Sequence, residues 1–277
     1  MNRNITRIVD GIQTSDGAGV KLKRIIGSPE LNLLDPFLLF DEFGSDNPED
    51  YIAGFPPHPH RGFETITYML NGKFRHKDSA GNEGFLSDGS VQWMTAGRGV
   101  IHSEMPEKTD GKVRGFQLWL NLPKKLKMIE PSYNDIQSGE IPSIELENGK
   151  VKIISGKFNG VKGPGMPHTG MLYLDVDLNK DTEFKTSINE QWNTFVYVYE
   201  GVMAVKDVHV QSGQLAIFSE GNSLNFSSYD SDGLRCVVIS GEPLNEPVSR
   251  GGPFVMNTKA EILEAIQDYN NGTFAKY

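Results

Sequence analysis

His58-Pro59-His60 and His102-Ser103-Glu104 each set two metal-ligating side chains two residues apart. On a strand, side chains at i and i+2 leave the same face, so each spacing presents a two-pronged claw to one side of a sheet. Two such claws facing one another supply three imidazoles and one carboxylate to a single ion. That sphere, nitrogen and oxygen without a thiolate, suits a redox-capable divalent metal, iron(II) above all, with positions left open for a substrate or oxygen. Zinc is the first alternative, because three histidines around an open position also make a hydrolytic zinc site. The mixed sphere, and the lack of an evident Ser or Lys partner for hydrolysis, favour iron; nickel, manganese and copper accept the same donors.

Glu64 lies four residues after His60 and points the same way on a strand. It reads as a fifth ligand or as an acceptor for an imidazole N–H, and the second role, or a structural one, is preferred because Glu104 already supplies the carboxylate. His76, His168 and His209 have no partner at ligand spacing and read as ordinary core or surface histidines. Asp41-Glu42, between Phe37-Leu38-Leu39-Phe40 and Phe43, read as turn carboxylates ahead of a buried, partnered pair. Gly156 to Gly160 and Gly163-Pro164-Gly165 lack the strand, GK[ST] and helix context of a phosphate loop.

The elements that must carry these claws are strands. Short β-rich runs alternate with Gly, Asn, Asp and Ser turns: Thr65–Leu70 before Asn71-Gly72, a strong hairpin signal, then Val91–Met94, Phe116–Leu120, Val151–Ile154 and Met171–Val176. Many short strands with such punctuation mean a sandwich or barrel. Thr258-Lys259-Ala260-Glu261 is a capping box, followed by an apolar stripe of Ile262, Leu263, Ile266 and Tyr269 and a stop at Asn270-Asn271-Gly272. A weaker helical stretch spans Leu122 to Ile136 and marks a domain junction, with Lys124, Lys125 and Lys127 as a solvated face.

The chain has 277 residues, enough for two domains, and its 27 Lys+Arg against 36 Asp+Glu give a net charge of −9. That balance argues against direct nucleic-acid binding. The single cysteine, Cys236, sits in the strand-like run Arg235–Ser240 and reads as an inert core thiol in a reducing compartment. The N-terminal segment has no apolar core of a signal peptide and no run is long enough to span a bilayer, so a cytoplasmic protein without a membrane partner is expected.

The chain also repeats itself. Tyr68 to Gly72 leading to Asp88–Met94 resembles Tyr197 to Gly201 leading to Ser212–Phe218. Laying Gly72 on Gly201 puts Ser187 and Asn189 where His58 and His60 stand, and laying Gly89 on Gly213 puts Phe226 and Ser228 at His102 and Glu104. The second copy lacks every ligand, so one metal site per chain is expected.

The stretches Gly54 to Tyr68, Gln92 to Pro106, Leu34 to Phe43, Gly241 to Pro247 and Gly252 to Thr258 resemble the pirin family of the cupin superfamily. The resemblance covers nearly the whole chain. It implies an all-β bicupin of two face-to-face, jelly-roll-like cupin barrels with a C-terminal helix, a metal-binding barrel over 1–132 and a metal-free one over 133–277. It places the metal ligands on His58, His60, His102 and Glu104. Gly97 stands where cupins usually have a proline, and Glu64 occupies the usual cupin glutamate position, whose role passes to Glu104 in pirins. The activity implied is quercetin 2,3-dioxygenation, opening a flavonol-like ring with O2, with Glu104 as general base and Phe43, Phe55, Phe63, Trp93 and Met94 as candidate walls. The competing implication is an iron-dependent regulator that binds a protein partner, with Lys21, Lys23 and Arg24 as its basic strip.

Overall fold

The computed structural model describes residues 1–107, 111–229 and 231–275. The chain divides into two compact units. One comprises Gln13–Gly27, Phe37–Ser138 and Leu244–Tyr277; it carries both claws. The other, the companion unit, comprises Met1–Ile12, Ser28–Pro36 and Gly139–Pro243. The units thus interleave along the chain, each drawing on more than one stretch of it.

The claw-bearing unit is built on two antiparallel sheets and also holds a two-stranded ribbon, Ser249–Gly251 against Phe254–Met256. Seven strands run in the order Ser132–Ile136, Val91–Thr95, Phe63–Asn71, Val113–Asn121, Phe37–Ser45, Val20–Ile26 and Ile12–Asp16. Four run in the order Phe55–His60, Val100–Pro106, Phe74–Asp78 and Glu83–Leu86. The larger sheet is buried on both faces. Phe40, Ile66, Tyr68, Phe116 and Leu118 fill one face, with Phe40 and Phe116 stacked at 5.6 Å, while Leu39, Asp41, Thr67, Gln117 and Trp119 alternate onto the other.

Asn71-Gly72 joins strands of different sheets and is not a hairpin turn between paired strands. Gly72 takes φ +94°, and its N–H donates to Asp88 Oδ1 at 2.7 Å, so the dipeptide re-aims the chain from one sheet to the other. In the companion unit Glu200-Gly201 lies inside one long strand, Asn193–Val205, at a register shift. The helical expectation over Leu122–Ile136 gives way to a single 3-10 turn, Lys124–Leu126, and a strand, Ser132–Ile136, paired antiparallel with Val91–Thr95.

Lys127 is not on a solvated face. It is 1 % exposed, and its Nζ donates to Gly62 O at 2.8 Å, Asn121 Oδ1 at 2.7 Å and Val255 O at 2.9 Å. Three acceptors compensate the buried ammonium, and burial still lowers its pKa to about 8.

The companion unit is built on a ten-stranded antiparallel sheet with an apolar interior. Val151, Leu174, Val196, Val198, Phe226 and Cys236 belong to one continuous cluster. Burial raises the Cys236 thiol well above its ordinary range, which makes it inert. In the claw-bearing unit, the helix Lys259–Asn270 carries the expected capping box on Thr258 and Glu261. Its buried face is Ile262 and Ala265, packed with Phe254, Met256 and Phe274; Leu263, Ile266 and Tyr269 are exposed. The stripe is therefore narrower than its apolar residues suggest, because three residues of the expected four face outward. No helix among the described residues is long and apolar enough to cross a membrane.

Candidate metal centre

Strand pairing sets the claws against each other. Phe55–His60 lies antiparallel to Val100–Pro106 with His58 directly opposite His102, and a register shift between His102 and Glu104 brings Glu104 opposite Phe55. The ring centroids of His58, His60 and His102 lie 4.7 Å (58 to 60), 4.4 Å (58 to 102) and 5.0 Å (60 to 102) apart. One ligand nitrogen from each ring falls within 4.8 Å of the others. Glu104 Oε2 stands 3.9 Å from both His58 Nε2 and His102 Nε2. His60, His102 and Glu104 are buried, and His58 is half-buried.

The ring environments fit an ion. His58 Nδ1 faces Pro56 O at 2.9 Å and His60 Nδ1 faces Pro253 O at 3.4 Å. A carbonyl only accepts, so each Nδ1 carries the proton and each Nε2 a lone pair. The two Nε2 atoms converge to 3.0 Å, close enough for one cation to take both. His102 Nε2 is buried with no hydrogen-bond partner. Burial, followed by neighbouring imidazoles, pushes His60 and His102 well below the ordinary histidine range, so both are neutral donors at neutral pH. Burial also raises the Glu104 carboxyl.

Glu64 has a structural role: its Oε1 accepts from Trp93 Nε1 at 3.3 Å and Thr95 Oγ1 at 2.9 Å, inside the core. His76 is a core histidine, bonded to Asp135 Oδ2 at 2.9 Å and stacked on Tyr133. His168 is exposed, and His209 is exposed and stacked on Tyr229.

Asp41 is not a turn carboxylate. It lies on Phe37–Ser45, 3 % exposed, and takes a fork from Arg24, Nε to Oδ1 at 3.0 Å and Nη2 to Oδ2 at 2.7 Å. Desolvation outweighs that pair and raises its pKa to about 6. Arg24 also reaches Asp16 at 2.7 Å. Arg24 leaves the basic strip, turning to the interior with Leu22, while Lys21 on the other face pairs with Asp50 at 2.7 Å.

Both sheets of this unit line one cavity of about 660 Å³, into which His58, His60 and Glu104 open. Phe43 and Phe55 line it as expected; Phe63, Trp93 and Met94 do not. Trp119, Thr67, Gln117 and Arg250 were missed. Trp119 packs on Phe63 at 4.4 Å and on His60 at 5.1 Å, and the Arg250 guanidinium lies 5.0 Å over its ring. Strand alternation through Arg24, Asp41, Thr67 and Gln117 was the signal available in the sequence.

Two small antiparallel sheets closing on a buried histidine cluster define a cupin-type barrel. A family model described as Pirin matches residues 19–120, and one described as Pirin C-terminal cupin domain matches residues 173–275. The chain belongs to the pirin family. A pirin-like protein of Caulobacter vibrioides is 44 % identical over 98 % of this chain and 99 % of its own length. One of Solanum lycopersicum is 46 % identical over 93 % and 88 %. The crystal structure of quercetin 2,3-dioxygenase from Acinetobacter baumannii superposes with a TM-score of 0.92 at 34 % identity, covering 100 % of this chain and 99 % of that one.

Proposed function

We propose that this chain is a metal-dependent dioxygenase that opens a flavonol-like ring with O2 at an ion held by His58, His60, His102 and Glu104. The observation that carries the reading is the trio of imidazoles, two of them burial-neutralised, with a carboxylate at 3.9 Å, opening on a cavity large enough for a flat aromatic molecule. The similarity to the Acinetobacter quercetin 2,3-dioxygenase supports the same chemistry. Iron(II), the ion favoured by this donor set over zinc, nickel, manganese or copper, supplies when bound a Lewis acid for a hydroxyl oxygen and a redox-capable centre beside O2.

The protein's own residues do the rest. Glu104 is a ligand that, swung off the ion, takes the 3-hydroxyl proton as general base and that otherwise stays a ligand. Phe43, Phe55 and Trp119 flank the cavity and hold the ring plane. His58, the half-buried ligand, is the one beside which substrate enters. The acidic balance and the single buried Cys236 support a reducing, cytoplasmic setting.

The test is quercetin consumption by iron-loaded protein in air, with an anaerobic control, carbon monoxide measured as product and metal content measured alongside. The expected result is oxygen-dependent turnover with carbon monoxide release, lost together with the metal in His58→Ala. Iron-loaded protein that binds metal but consumes no flavonol in air sinks the dioxygenase reading. A His58→Ala variant that still turns over sinks the site.

A further inference from the structure

One row of directly paired residues crosses the seven-stranded sheet and is polar from end to end. Arg24 stands opposite Asp41, Asp41 opposite Gln117, Gln117 opposite Thr67, Thr67 opposite Gln92, and Gln92 opposite Asp135. Paired residues on neighbouring strands project from the same face, so these six side chains form a single stripe. The rows on either side of it are mainly apolar: Leu22, Phe43, Gly115 and Met69 on one flank, Leu39, Trp119, Thr65 and Met94 on the other. Arg24, Asp41, Gln117 and Thr67 line the same cavity as His58, His60 and Glu104. One wall of the cavity therefore carries the imidazoles and another carries this stripe.

A stripe that served the fold alone would satisfy its own hydrogen bonds. This one does so in part. Arg24 forks onto Asp41, and Thr67 Oγ1 donates to Gln117 Oε1 at 2.5 Å, which leaves the Gln117 amide nitrogen its donors. Gln92 and Asp135, at the far end of the row, do not line the cavity, and Asp135 is bonded to His76. The Gln117 amide nitrogen, half-buried on the cavity wall, is the group whose donors a ligand there can reach.

The charges around the stripe decide which ligand chemistry fits. Arg24 is matched by Asp41 and Asp16, and Arg250 faces the same two carboxylates. No uncompensated positive charge is left for an anion. Carboxylate acceptors interleaved with amide and hydroxyl groups instead suit O–H groups, which both donate and accept.

We propose that this row is the specificity wall of the site: it reads hydroxyl groups on the part of the substrate that does not touch the metal. What the row selects is the number and placement of hydroxyls on the remote part of the flavonol-like molecule. The inference rests on the cavity being the substrate site of the proposed dioxygenase and names what that site selects.

The experiment measures anaerobic binding of three flavonols to the metal-loaded protein. All three share the same 3-hydroxy-4-keto edge and carry zero, one or two hydroxyls on the pendant ring. Affinity is expected to rise about tenfold with each hydroxyl, the range of one net hydrogen bond to a partly charged site. Thr67→Val, which keeps the side-chain shape, and Gln117→Leu should each flatten the series, with metal content as in the wild type. Equal affinity for all three in the wild type, or variants that weaken all three alike, overturns the wall. Oxygen-dependent turnover that ignores the pendant hydroxyls also overturns the wall and leaves the dioxygenase reading standing. Graded binding without oxygen uptake in air does the reverse, and failure to bind any of the three overturns both.

Discussion

Two strand pairs of the same construction hold opposite contents in the two units. In the claw-bearing unit, Phe55–His60 against Val100–Pro106 sets His58 opposite His102. In the companion unit, Glu183–Ser187 against Ser223–Ser228 sets Phe184 opposite Phe226, stacked at 4.8 Å, with Phe158 behind Phe184 at 5.6 Å. Where one pair gathers imidazoles, the other gathers phenyl rings. Strand pairing is common to both units, and a few inward side chains decide whether the interior is a site or a core.

The comparison breaks first at the ligands. His102→Leu converts a ligand position into the companion unit's chemistry and should reduce bound metal from one ion per chain to none, by elemental analysis. Metal addition should then no longer raise the melting temperature as it does for a protein whose folded state alone holds the ion. Unchanged metal content in this variant would remove His102 from the centre. On the other side, Phe226→Ala should cost about 3–5 kcal/mol by denaturant unfolding, the range for deleting a buried phenyl ring, and leave metal content untouched. A metal loss equal to that of His102→Leu would show that the two interiors are not independent in kind.

Lys127 gives a smaller, pH-dependent contrast, because the apolar companion interior has no counterpart among its clustered core residues. Its folded pKa of about 8 lies below the ordinary 10.5. Between those values the unfolded chain holds the proton and the folded chain has released it, so stability rises with pH across that window; below about 8 both states are charged and the penalty is constant. Compared with Lys127→Met, the wild type should gain about 2 kcal/mol between pH 8 and 9.5 in urea titrations. A flat difference across that range would mean that the three acceptors hold the ammonium charged throughout.

The claws were legible because strand alternation is a local property: two residues' spacing fixes a shared face whatever the strand pairs with. Even so, counting from Gly201 set Ser187 and Asn189 against the histidines, and both are exposed. The strands meet Phe226 with Phe184 instead. The chain between Ser187 and Asn193 is longer than that between His60 and Phe63, and this shifts the count. Ser228 sits where Glu104 was laid and is tied to backbone, accepting from Thr182 N and donating to Asn179 O.

What the sequence hid is inter-strand. Arg24 and Asp41 are adjacent only through register, and nothing near either residue announces the other. Lys127 sits in a lysine-rich stretch whose composition says surface, yet its ammonium is the meeting point of Gly62, Asn121 and Val255. Composition averages over a segment, and burial is decided residue by residue. Gly62 shows the same limit: it takes φ +90°, and a Cβ there would sit 2.0 Å from Val255 O, a close approach that only the folded register creates.

The claw-bearing unit draws on residues from Gln13 to beyond Leu244, and Pro253 O is the acceptor that orients His60. The companion unit needs nothing after Pro243. During synthesis, then, the companion unit has all its residues first, and the claw-bearing unit is complete only when its last segment follows. The carbonyl that orients His60 is therefore among the last parts of that unit to be made, long after the imidazole it faces.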